Sequence, residues 1–174
     1  PYTTLFRSSD KLVRRLDELV ALAEQLGLAD IAEFPGRVTD EFVQRCLSTA
    51  DVCLSPDPLN PVNDVSTMNK VVEYMAMGRP MVSFELTEAR VSAGSAAVYV
   101  RPNDDLAFAR AIDELLNDPA RRRQMGDAGY RRLTEELSWD VSRRALVSFY
   151  EKLLGGLAAP TTGSTRSHRV RDHV

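Results

Sequence analysis

From Asp10 to Leu26 the apolar residues Leu12, Leu16, Leu19, Ala23 and Leu26 recur at intervals of three and four, which places them on one face of a helix. Gly27 follows, where a residue without Cβ ends a helix most easily. Ile31-Ala32-Glu33-Phe34 reads as a short strand closed by Pro35-Gly36. Thr39 is placed to cap a helix running through Leu47, with Asp40 and Glu41 facing the positive end of its dipole. Val52-Cys53-Leu54 reads as a buried strand. Pro56 to Val65, with three prolines, two asparagines and two aspartates, reads as loop. A helix is predicted from about Ser66 to Met77, stopped by Gly78-Arg79-Pro80. Met81 to Phe84 is the next strand, 85–94 a looser stretch, and Ala97 to Val100 a fourth strand.

Three helical patterns close the chain: one carrying Leu106, Ala109, Ile112 and Leu116, one from Pro119 to about Leu133, and one from Ser138 to Leu154. Strands alternating with helices predict an α/β fold, a Rossmann-like parallel sheet with helices on both faces. Four strands fall short of the roughly five or six of doubly wound sheets. Together with a chain that opens on a helix, this leads us to expect that further strands precede the segment in hand. No internal repeat is visible.

Composition and charge narrow the field. The 174 residues carry 22 Lys and Arg against 25 Asp and Glu, a formal charge of −3, so no global positive field exists to hold nucleic acid. No run approaches the roughly 18 apolar residues of a membrane-spanning helix, and the amino end has no secretory pattern. We therefore expect a cytoplasmic location, leaving open a peripheral membrane association through a lipid or glycan acceptor. Cys46 and Cys53 lie in apolar segments without metal-ligand or redox spacing and read as buried thiols. The two histidines, His168 and His173, both fall in a Gly-, Pro- and Thr-containing tail from 155 to 174 that reads as disordered. The plausible fold thus contains no imidazole, which argues against a Ser-His-Asp triad or a zinc-hydrolase site. Pro1 to Ser8 resembles the translated end of a sequencing adapter and is set aside from fold reasoning.

In an open parallel sheet, ligands sit at the carboxyl ends of the strands, here the loops at 56–65, 85–94 and 101–104. The first loop feeds a helix whose opening NH groups, expected near Ser66 and Thr67, would attract phosphate or carboxylate unless one of these residues simply caps the helix. Turning that helix at 100° per residue puts Asn69, Lys70 and Glu73 on its polar side. Glu73 could accept two hydrogen bonds from a ribose diol and Lys70 could neutralise a phosphate; a solvated Lys70/Glu73 pair is the plainer alternative. No GxGxxG or GxxxxGK[ST] is present.

The runs Ala50-Asp51-Val52-Cys53-Leu54-Ser55-Pro56 and Asn69-Lys70-Val71-Val72-Glu73-Tyr74-Met75-Ala76-Met77-Gly78-Arg79-Pro80-Met81-Val82 resemble the carboxy-terminal domain of family-4 (group 1) retaining glycosyltransferases of the GT-B fold. The likeness spans about Asp10 to Leu154. It takes in Phe34-Pro35-Gly36-Arg37-Val38, Asp118-Pro119, Met125-Gly126 and Ser138-Trp139. The resemblance implies binding of a nucleotide-sugar donor, glycosyl transfer with retention, no required metal or other cofactor, and an acceptor-binding domain that precedes this segment; the segment alone is then expected to be inactive. It implies a ribose contact for Glu73, the second glutamate of the family's E-x7-E pattern. Val65 occupies the position of the first glutamate, with Asp64 beside it, and Glu88 falls in the donor loop without the usual Gly-Gly pair. The donor-binding set is therefore Asp64, Ser66, Thr67, Asn69, Lys70, Glu73 and Glu88, the loop 63–67 replacing the family's usual approach. Two alternatives stay open: a sugar-nucleotide epimerase or phosphorylase of the same fold, and a non-catalytic domain that binds nucleotide or protein.

Overall fold

The computed structural model describes residues 10–155; the adapter-like octapeptide, both histidines and nearly all of the tail lie outside them. The chain divides into two compact units, Pro1–Cys46 and Leu47–Val174. In the first unit, helix α1 (Asp10–Gln25) ends as its periodicity predicts, with Gly27 at φ +68°. Helix α2 (Asp40–Thr49), which runs across the boundary, is capped by Thr39, whose Oγ1 accepts from Phe42 N at 3.3 Å. The strand expected at Ile31–Phe34 does not form. The amides of Ile31 and Ala32 donate to Leu28 O at 3.0 and 2.9 Å, so they close a turn after α1 and are not available to a sheet ladder.

In the second unit, β1 (Cys53–Ser55), β2 (Met81–Phe84) and β3 (Ala97–Val100) form a parallel sheet in that order. Cys53 pairs with Met81, and Met81 in turn with Ala97. The described sheet therefore has three strands where the pattern suggested four. Helix α3 (Asn69–Ala76) joins β1 to β2, and helix α4 (Thr87–Ala93) with the 3-10 turn Gly94–Ala96 joins β2 to β3. Helices α5 (Asp105–Leu116), α6 (Pro119–Arg132) and α7 (Trp139–Gly155) follow, a π turn at Leu133–Leu137 separating the last two. The side chains of Asp104 and Asp118 cap α5 and α6 by accepting from Ala107 N and Arg121 N, each at 2.9 Å.

The period of two along β2 sorts the core onto two faces. Val82 and Phe84 pack with Val100, Phe108, Ala111, Leu115 and Met125, the Phe84 and Phe108 rings lying 4.8 Å apart. Met81 packs on the other face with Cys53, Val71, Met75, Ala93 and Ala96. Helices thus cover both faces, as expected. β1 is less enclosed than its sequence suggested, because Leu54 remains 39% exposed between the buried Cys53 and Ser55.

Two sequence expectations fail between β1 and β3. The stretch 85–94 is not loose, since α4 occupies most of it. Its inward face is made of Ala89, Ser92 and Ala93, too small to register as an apolar stripe, and its cap comes from far along the chain. Helix α3 starts at Asn69 and not at Ser66. Ser66 is extended, at φ −95° and ψ 124°, and follows a short 3-10 turn at Asn63–Val65.

Candidate functional site

Because the three strands are parallel, their carboxyl ends fall on one edge, where Ser55-Pro56-Asp57, Glu85-Leu86 and Arg101 leave the sheet. The long loop after β1 is ordered by its asparagines. Asn60 Oδ1 accepts from Val62 N at 3.0 Å and Asn63 N at 2.9 Å, and Asn63 Nδ2 donates to Pro58 O at 2.8 Å. Ser66 turns its hydroxyl back onto Val62 O at 2.5 Å, so it braces the loop and does not cap α3. The residue at that cap is Met68, which offers no side-chain acceptor, and the opening NH groups expected near Ser66 and Thr67 belong instead to the turn at Asn69.

Two polar clusters result. In the first, Asp64 spans to α4: its Oδ1 accepts from Thr87 N at 2.8 Å and its Oδ2 from Thr87 Oγ1 at 3.0 Å. A carboxylate 23 residues earlier thus serves as the N-cap that Leu86 cannot provide. Beside it, Thr67 Oγ1 and Ser92 Oγ donate to Glu88 Oε1 at 2.8 and 2.9 Å, and the second carboxylate oxygen of Glu88 has no hydrogen-bond partner among the described residues. The other end of α4 is fastened by Arg132, which donates to Ser92 O and Val91 O, and by the Tyr99 hydroxyl on Gly94 O at 2.8 Å. Glu88 therefore stands on a short helix held at both ends. Replacing Asp64 with Ala is expected to cost about 1 kcal/mol of stability, the usual worth of an N-cap, and to raise amide hydrogen exchange first at Thr87 and Glu88. Equal exchange at those amides in both proteins would contradict the capping role.

In the second cluster, Lys70 Nζ lies 2.8 Å from Asp57 Oδ1 and 2.6 Å from Oδ2, and Ser55 Oγ donates to Oδ2 at 2.6 Å. Burial alone would raise the Asp57 pKa. The hydrogen bonds from Lys70 and Ser55 and the Lys70 charge outweigh it, so the carboxyl titrates below the ordinary aspartate range. The sequence did not single out Asp57, because one aspartate among prolines reads as turn punctuation. Its position two residues beyond a strand end was the available signal. Lys70 is consequently paired, as the plainer sequence reading allowed, but with Asp57.

Glu73 projects from the exposed side of α3 and makes no hydrogen bond or ion pair among the described residues, so the Lys70/Glu73 pair does not form. Asn69 is likewise exposed, at the first turn of α3. Val65 is 70% exposed. The structure thus brings Asp64, through Thr87, and Thr67, through Glu88, to the start of α4 and ties Lys70 to Asp57, while Ser66, Asn69 and Glu73 enter neither cluster. Beneath them, Tyr74 donates its hydroxyl to Leu54 O at 3.1 Å. Burial, with smaller contributions from Cys53, Asp57 and Glu73, pushes its pKa up to about 12, so the hydroxyl stays a donor.

A concavity of about 750 Å³, lined by Ala76, Met77, Gly78, Asp127, Tyr130 and Arg131, opens at the other end of α3. It contains none of the residues of the two networks. Among the described residues, no helix is long and apolar enough to cross a membrane, and no cluster of His, Cys, Asp and Glu is disposed to hold a metal ion.

The fold is thus a three-layer α/β unit with polar groups gathered at the carboxyl edge of a parallel sheet, the edge at which open sheets of this kind bind ligands. The family model described as "Glycosyl transferases group 1" matches residues 9–118, and the chain belongs to that family. It is 30% identical over 141 residues to the MMP alpha-(1->4)-mannosyltransferase of Mycolicibacterium hassiacum, a match that covers 79% of this chain and 33% of that protein. It is 27% identical to the D-inositol 3-phosphate glycosyltransferase of Streptomyces avermitilis, over 89% of this chain and 31% of that protein. Among solved structures it resembles the sucrose-phosphate synthase of Thermosynechococcus elongatus, with a TM-score of 0.68, 25% identity, and coverage of 80% of this chain and 34% of that one. The chain spans about a third of the length of these relatives. They are glycosyltransferases of the GT-B fold, as the sequence resemblance implied.

Proposed function

We propose that this chain supplies the donor-binding half of a retaining glycosyltransferase, which moves a hexosyl group from a nucleoside-diphosphate sugar to an acceptor carried largely by another domain. The observation that carries this reading is the placement of Glu73. It stands as an exposed carboxylate in the middle of α3, without a hydrogen bond or ion pair among the described residues, on the helix that starts from the carboxyl edge of the sheet, and is available to accept both hydroxyls of a ribose. The diphosphate would lie toward the first turn of α3, where Met68 leaves the NH groups without a side-chain cap and Lys70 supplies a cation. Breaking the anomeric C–O bond puts an electron pair on the leaving phosphate oxygen, and positive groups aimed at that oxygen lower the barrier. In this reading the protein's own groups meet that charge, and no metal is assigned a role. Binding and turnover separate: the chain binds nucleotide, and transfer requires the acceptor half.

Titration of UDP, GDP and ADP into the wild-type chain and its Glu73→Ala variant, followed by calorimetry, tests the proposal. One base is expected to bind, with the variant much weaker; equal binding by both proteins would remove Glu73 from the ribose. A binding-only role gains support from Val65, an exposed valine where the family carries a glutamate. Joined to an acceptor half, a transferase would release nucleoside diphosphate only with glycosylated acceptor, whereas a binding module would release none.

A further inference from the structure

Transfer leaves the nucleoside diphosphate with one more oxyanion than the donor carried, ionised near neutral pH because such a terminal phosphate titrates at about 6. A site that grips the diphosphate with unmasked cations therefore holds product more tightly than substrate. Lys70, the cation in the first turn of α3, is not unmasked. Its ammonium is shared by both oxygens of Asp57 at 2.6 and 2.8 Å, and Ser55 fixes that carboxylate from the strand side at 2.6 Å. The Lys70 side chain still keeps 34% of its surface exposed against 20% for Asp57, so the charge is dampened and not hidden.

Building on the donor-binding reading above, we infer that Asp57 is a specificity-determining residue: by neutralising Lys70 it lowers the preference of the site for nucleoside diphosphate over nucleoside-diphosphate sugar. The pair links the first residues beyond β1 to the first turn of α3, 13 positions later. The intervening loop also has hydrogen bonds of its own, made by Asn60 and Asn63. A carboxylate placed solely for loop geometry could be replaced by its amide without changing how the site weighs ligand charge. Asp57→Asn, on the inference, changes that weighing.

The experiment measures dissociation constants of UDP, GDP and ADP and of UDP-glucose, GDP-glucose and ADP-glucose for the wild-type chain, Asp57→Asn and Lys70→Met, and compares diphosphate with sugar ester for whichever base binds. Asp57→Asn is expected to shift the ratio toward the free diphosphate by about three- to tenfold, the scale of one partly screened unit charge at close range. Lys70→Met is expected to shift it the opposite way. A merely structural pair would change both affinities together and leave the ratio untouched, and that result would overturn the inference. Should Asp57→Asn fail to fold, the Lys70→Met ratio decides alone, an unchanged ratio again overturning it. If the wild type binds no nucleotide, the donor reading itself falls, and this inference with it. Binding with unshifted ratios removes only the inference.

Discussion

Gly126→Ala is expected to lower the stability of the chain by about 3 kcal/mol and its melting temperature by about 10 °C, although alanine is the better helix former by about 1 kcal/mol. Sterics decide the sign. A Cβ at position 126, in the middle of α6, would overlap Gly78 O and stand 2.9 Å from Gly78 C. Both are backbone atoms and cannot rotate aside. Yielding would mean moving the turn that carries Gly78 at φ +61° and feeds β2, whose Met81 and Val82 are fully buried. Gly155→Ala is the control: among the described residues nothing lies within 4 Å of its Cβ, and its stability is expected to stay within about 0.5 kcal/mol of wild type. Denaturant melts of the two variants check this. A Gly126→Ala protein as stable as wild type would mean that α6 does not cross the turn so closely.

Glu73→Ala is expected to weaken nucleotide binding at least about tenfold while leaving the melt unchanged. The first half follows from chemistry, because hydrogen bonds to a carboxylate contribute about 1.5–3 kcal/mol each, and tenfold in affinity is only about 1.4 kcal/mol. The second half follows from geometry: Glu73 is exposed and holds no partner among the described residues, and such surface changes stay within about 0.5 kcal/mol. Calorimetric titration with melts of both proteins measures the two halves together. Unchanged affinity, or a loss of affinity that merely follows a loss of stability, would deny Glu73 a binding role.

Much of the fold was legible because it is written locally. The helices α5 and α6 have their caps, Asp104 and Asp118, directly ahead of them; the stripe read along α5 from Leu106, Ala109, Ile112 and Leu116 nevertheless lies mostly on the exposed side, the buried residues being Phe108, Ala111 and Leu115. Where the information is distant, reading failed. Helix α4 hides its inward face in alanine and serine and takes its cap from Asp64, a contact that only the parallel crossover creates. Ser66 and Thr67 look like caps, but their hydroxyls serve Val62 O and Glu88, so α3 begins later. Ile31–Phe34 has the apolar content of a strand, and strand pairing needs a neighbour as well as a composition.

The site divides the same way. The helical period located Glu73 and Lys70 on the polar side of α3, and the resemblance added Asp64 and Glu88. Neither the period nor the resemblance could show that Asp64 is consumed as a cap or that Lys70 already has a counterion. Those facts depend on which loops the sheet brings together at its carboxyl edge. Asp57 and Ser92 came to light only there.

We propose that nucleotide binds at that edge. Amide chemical-shift mapping of the isotope-labelled chain with UDP, GDP and ADP tests it most directly. Shifts on binding are expected to concentrate in the first turn of α3, around Asn69 to Glu73, and at the start of α4, around Thr87 and Glu88. Shifts concentrated instead at Ala76 to Gly78 and Tyr130, around the concavity at the other end of α3, would contradict it.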